Sequence, residues 1–397
     1  MRSKEVVCSS IPARSASRAS QVVEQIAISL QENACRLKYP GYGNGLLSIS
    51  LFSAYYALFS GQRQFTTAAA AYFERAISAI SVDIYAHKIS YFRELIEMAF
   101  FVQFVKSNNL ISFIDTDILA ALDTRIDAFF KIKLREGELN HFGALYASEY
   151  YLTRIDQDPL AADRLVKLVE ALEHFAIRDS AGYCWKWPFS KNDGIYLGMI
   201  CGSARVIRVL SELYWIGIKQ QEVIHLINRA ADFILSQSQK ANPGYFPVKV
   251  HTEGRSDFML DADLAVSCAL WETYRITGRK DVLRVMECTL ALCCQRRDLA
   301  GCRVGDASIQ YGSTGLALRF EGLYRKSGLQ DLKNASEYWH QQTMLQQRFD
   351  NDTAGFKASY NQMHVHTNIA FHEGIAGIGI GLMCYADASL PLPTQLI

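Results

Sequence analysis

The sequence predicts an all-α protein, an α/α toroid of about seven helical hairpins whose inner ring of seven helices stands inside an outer ring. Three observations predict it. A turn of Ser or Thr, Gly, three residues and an apolar residue recurs in LFSGQRQF (Leu58 to Phe65), RITGRKDV (Arg275 to Val282) and RKSGLQDL (Arg325 to Leu332). Sixteen residues before each of those glycines stands a small residue, Gly45, Ala262 or Gly312. The helix between the two is apolar on most sides, whereas the helix that follows keeps a charged stripe.

Taken in order, each hairpin rests on the same signals. Gly61, Gly278 and Gly328 suit the left-handed residue that ends a helix, because glycine has no Cβ to clash there. The first hairpin starts near Gly45, with Ile49, Phe52, Tyr56 and Phe59 at helical spacing. A second, weaker unit fits between Ile89 and Lys131, where Phe92, Leu95, Ile96 and Ala99 keep that spacing. Small-residue starts near Gly143 and at Gly198 and Gly202 open the third and fourth. Ala262 and Gly312 open the fifth and sixth, and Gly374 and Gly377 the seventh. An open solenoid of stacked hairpins is the competing architecture. A helix apolar nearly all round must be surrounded, which favours the closed ring.

The first 20 residues, rich in Arg and Ser, read as a flexible arm without the apolar core of a secretory signal, and residues 21–397 as one domain. A formal charge of +1 offers no field for nucleic acid, and no apolar run is long enough to span a bilayer. Ten cysteines without a CxxC read as buried thiols of a cytoplasmic protein. If the inner helices run parallel, their starts converge on one end. There small residues relieve crowding, and unpaired amides offer a partial positive charge to an anion or thiolate. The ligand site is expected at that end.

Around these loops the chain resembles the lanthionine synthetase C-like cyclases, in repeat number, repeat length and three local motifs, over about residues 40 to 385. The family's Trp-Cys-Tyr-Gly-x-x-Gly is similar to Ile309-Gln310-Tyr311-Gly312-Ser313-Thr314-Gly315. Its Cys-His-Gly-x-Ala-Gly is similar to His372-Glu373-Gly374-Ile375-Ala376-Gly377, and its Gly-Leu-Ala-His-Gly to Gly194-Ile195-Tyr196-Leu197-Gly198. The resemblance implies a zinc ion held by two Cys and one His, and addition of a peptide Cys thiol to dehydroalanine or dehydrobutyrine. It further implies a modified or leader-bearing peptide as substrate and a dehydratase-type enzyme as partner. Here the zinc cysteines fall on Gln310 and His372, the zinc histidine on Glu373, the acid/base histidine on Leu197 and a family Arg on Asp306.

Gln310, His372 and Glu373 are therefore the metal candidates, although Gln is a poor zinc ligand. His372, Glu373 and Tyr311 are the catalytic candidates, a His beside a Glu suiting a general base. Two further readings stay open: a non-catalytic peptide-binding subunit, and a carbohydrate-active barrel. In the latter Asp193, Asp261 and Asp263 supply carboxylates and Trp187, with Trp185, stacks on a sugar. The structural reading of those aspartates is helix caps or dipole partners. His364 and His366 read as loop histidines facing solvent.

Overall fold

The computed structural model describes residues 13–80, 91–111, 118–139, 143–187, 194–199, 202–238, 246–250, 259–357 and 368–396. It falls into two compact units: residues 1–119 with 304–397, and residues 120–303.

In the first unit, Leu46–Ser60 (α2) and Gln64–Ile80 (α3) form one hairpin, and Ser313–Ser327 (α12) and Gln330–Leu345 (α13) another. Tyr91–Ser107 (α4) is buried along nearly its whole length. Ile118–Arg135 (α5) leads into the second unit. The last inner helix, Ile375–Ala386 (α14), is buried from Ile375 to Tyr385 and packs on Ala13–Asn33 (α1). The arm expected over residues 1–20 is thus helical from Ala13 onward. Ala19, Val22, Val23, Ile26 and Leu30 recur at helical spacing and are buried. The seventh inner helix takes its outer partner from the opposite end of the chain.

Glycines set how closely α14 is approached. A Cβ on Gly379 would press on Phe52 of α2 and Ile26 of α1, and one on Gly381 on Thr314 of α12. With hydrogen there instead, three helices close on α14.

The second unit repeats the plan with Ala144–Arg154 (α6) and Ala161–His174 (α7), Ser203–Trp215 (α8) and Gln220–Ser236 (α9), and Asp263–Thr277 (α10) and Lys280–Gln295 (α11). The strands Ile177–Asp179 (β1) and Gly182–Cys184 (β2) pair antiparallel, as do Lys186–Trp187 (β3) and Gly194–Ile195 (β4). The indole of Trp185 donates to the Leu172 carbonyl at 2.9 Å and ties the first of these ribbons to α7. Some of the paired charges of this unit are internal. Arg164 bonds Asp127 and Asp158 while stacking on Tyr151, and Arg205 meets Glu149 at 2.5 Å.

The helix ends agree with the turn pattern. Gly61, Gly278 and Gly328 have φ of 72°, 68° and 71° and cap α2, α10 and α12. Among the described cysteines no disulfide forms; Cys293, Cys294, Cys302 and Cys384 are buried, whereas Cys35 and Cys288 are exposed.

One buried base gives the fold an acid sensitivity. His340 of α13 is 1% exposed and stacks on Tyr385 with ring centroids 4.5 Å apart. Burial pushes its imidazole down from 6.5 to about 3. The unfolded chain therefore takes up a proton that the folded chain refuses, and stability falls as pH drops from about 6.5 towards 3. Replacing His340 by Phe is expected to flatten that fall, read as urea midpoints at about pH 7 and about pH 5. An undiminished loss in acid would count against this assignment.

Candidate functional site

The small residues that open the inner helices relieve crowding, as expected, but the free amides expected beside them are taken up within the chain. The loop before each helix curls back over its first turn. The Leu46 amide donates to the Tyr39 carbonyl at 2.7 Å, Ser203 to Tyr196 at 3.1 Å, and Ser313 to Asp306 at 3.1 Å, each seven residues back. A Cβ on Gly45, Gly202, Gly312 or Gly374 would run into the backbone of that returning loop. The first amides of α2, α8 and α12 are satisfied within the chain, so the row of free donors expected for an anion is not offered there. The glycines serve loop closure.

In the first unit these loops are joined. The His372 amide donates to the Gly43 carbonyl at 2.9 Å, and the Gln310 amide to the His372 carbonyl at 2.9 Å. The starts of α2, α12 and α14 are thereby linked through backbone, and α4 reaches the same place. Glu97 of α4, 2% exposed, accepts from the Gly43 amide at 3.0 Å and from Arg93 Nε at 2.6 Å. Its carboxylate fills the space that a side chain on Gly41 would need. A Cβ on Gly43 would lie 2.7 Å from His372 Nδ1 and 2.9 Å from Arg93 Nη2. Imidazole and guanidinium therefore crowd the same point, with Tyr42 edge-on to the imidazole at 5.6 Å.

On its other side His372 Nε2 lies 3.2 Å from the Leu396 carbonyl oxygen. With a proton on Nε2 the ring donates there. Burial holds the imidazole below its ordinary range; the Arg93 cation pushes the same way, against Glu97, the Leu396 carbonyl and Glu373.

Gln310 and Tyr311 are also committed. Gln310 Nε2 donates to the Tyr311 hydroxyl at 2.9 Å, and the Tyr311 amide to Ser308 Oγ at 3.2 Å. Glu373 lines a small cleft with Asp306, Ser308, Lys357 and Asn368. Asp306 holds its own loop, accepting from the amide and hydroxyl of Ser308 at 2.9 and 2.7 Å.

These residues do not fit the zinc ion that the motifs imply. Where the motif likeness puts two thiolates the chain carries an amide and an imidazole, the amide engages a phenol, and the Arg93 cation that opposes protonation of the imidazole would likewise oppose a bound cation. Among the described residues no group of three or more His, Cys, Asp or Glu is placed to hold a metal.

The carboxylates of the second unit have partners of their own. Asp261 accepts from the Met199 amide at 2.7 Å and so joins the loops before α8 and α10. Asp263 accepts from the Phe246 amide at 2.7 Å and from Arg296 at 3.0 Å. Asp193, His364 and His366 lie outside the described residues, as does the side chain of Trp187, whose backbone forms β3.

Sequence reasoning brought Gln310, Tyr311 and His372 to one place and missed Arg93, Glu97, Gly43 and Leu396. A signal existed for two of them. Arg93 and Glu97 are opposite charges four residues apart in a helix that is mostly buried.

Paired inner and outer helices opened by glycine turns define the class as an α/α toroid. The chain shares that fold with nisin cyclase, at a TM-score of 0.73 and 14% identity, over 93% of this chain and 94% of that one. No protein-family model and no curated sequence matches the chain. No helix among the described residues is long and apolar enough to cross a membrane.

Proposed function

We propose that this protein is a non-catalytic, zinc-free member of the peptide-handling toroids, which binds a leader-bearing or modified peptide beside a dehydratase-type enzyme. The likeness of its fold to nisin cyclase supports a peptide as the ligand. The observation that carries the loss of zinc chemistry is His372. The residue at the position where the motif likeness puts a thiolate is a part-buried imidazole whose Nε2 lies 3.2 Å from the Leu396 carbonyl and whose protonation the Arg93 cation opposes. A ring so engaged supplies no Lewis acid to lower a thiol pKa.

The test is made on protein purified without chelator, incubated with a leader-bearing peptide that contains dehydrobutyrine and one free Cys. The protein is expected to carry under about a tenth of an equivalent of zinc. It should retain the peptide while leaving its thiol titre unchanged. One full equivalent of zinc, or loss of peptide thiol at constant mass that His372→Ala abolishes, would sink the reading.

A further inference from the structure

The segment that follows α14 turns back along the first unit instead of leaving it. The Pro391 carbonyl accepts from the Tyr55 hydroxyl of α2 at 2.8 Å and from the Cys384 thiol of α14 at 3.5 Å. Thr394 passes Gly322 of α12, where a Cβ would come to 3.4 Å from its methyl group. The Leu396 carbonyl then reaches His372. Tyr55 and Cys384 lie nine residues into their helices, whereas His372 precedes the start of α14, so the segment runs back towards the helix starts. Leu390 and Leu396 are buried, while Gln395 between them is exposed.

The manner of attachment is that of a bound peptide. Side-chain donors on α2 and α14 read the Pro391 carbonyl, His372 lies on that of Leu396, and two leucines are buried. Pro391 and Pro393 carry no amide and hold the chain extended until the Leu396 amide closes a turn on the Pro393 carbonyl at 2.9 Å. Recognition through carbonyls and apolar sockets does not depend on which chain supplies them. The segment forms no helix or strand with its surroundings, so releasing it breaks a few side-chain contacts and leaves the hairpins intact.

We propose that Leu390–Leu396 is an internal ligand, seated in cis in a groove formed by α2, α12, α14 and His372, which accepts in trans an extended, proline-containing apolar peptide. Withdrawal of the segment opens the groove. The inference rests on the peptide-binding reading for the groove's purpose, but the exchange of cis for trans occupant is testable without it.

The probe is a fluorescent synthetic peptide of residues 389–396, with binding followed by anisotropy. Three proteins are compared: the intact chain, a variant lacking residues 390–396, and Leu396→Lys, in which a charge replaces the buried leucine. The apparent affinity of the intact chain is reduced by its closed fraction, so both variants are expected to bind roughly tenfold more tightly. Unlabelled peptide should compete. In the intact chain, the amides of Leu392 and Thr394 to Leu396 should exchange hydrogen faster than those of α2 and α14. Folded variants that bind no more tightly than the intact chain would overturn the proposal. So would segment amides that exchange only with global unfolding, a readout that holds even where a variant does not fold. If the opened variants take the 389–396 peptide but no leader-bearing dehydrated peptide, the proposed function fails and this inference stands. Equal binding of the leader-bearing peptide by all three proteins overturns this inference and leaves the function standing.

Discussion

Glu97→Ala is expected to destabilise the first unit by about 3 kcal/mol, because it removes a buried carboxylate that accepts from the Gly43 amide and from Arg93. The carboxylate is 2% exposed and bonds both the Gly43 amide and Arg93. With Ala, the Gly43 amide loses its acceptor inside the protein and the Arg93 guanidinium keeps its charge beside the His372 imidazole. Glu97→Gln retains an accepting oxygen and the shape, so its loss should be smaller. Urea unfolding of both variants decides the matter. An Ala variant that loses under about 1 kcal/mol would mean that water satisfies these groups and that the site is not the closed one described here.

Gly377→Val should cost about as much, some ~3 kcal/mol, through overpacking against backbone. A Cβ at this position collides with the Phe371 carbonyl oxygen and comes to 2.9 Å from Ile309 Cδ1. Backbone cannot rotate aside as a side chain does, so residues 371 and 372 must move. The His372 contact to Leu396 should loosen with them, read as faster exchange of the Leu396 amide in the variant. Gly328→Ala serves as the comparison. Its φ is 71° and no atom lies within 4 Å of the added carbon, so it pays only the left-handed backbone term, about 1 kcal/mol. Equal losses in the two variants would show that space around Gly377 is not the constraint.

Much of the fold was legible because its signals are local. The glycines at 61, 278 and 328 end helices for a reason visible in four residues, and apolar spacing distinguishes α2 from α3 without knowledge of their neighbours. The candidate site was less legible. Motif likeness placed Gln310, Tyr311 and His372 near one another, and the backbone bonds from Gly43 through His372 to Gln310 agree. The same likeness offered Glu373 beside His372; a second carboxylate that acts on the imidazole comes from Glu97, 275 positions earlier in the chain. Nothing in the spacing of residues 93 and 97 says which loop their charges will meet.

The sequence by itself determined the repeating hairpin and the glycines that begin and end its helices, since each depends on a residue's own chemistry or that of its near neighbours. Only the tertiary structure decided that α1 completes the last hairpin, that the loop glycines make room for returning backbone, and that Leu396 covers His372. Those outcomes depend on which distant segments compete for the same buried volume, and a linear pattern carries no measure of that competition.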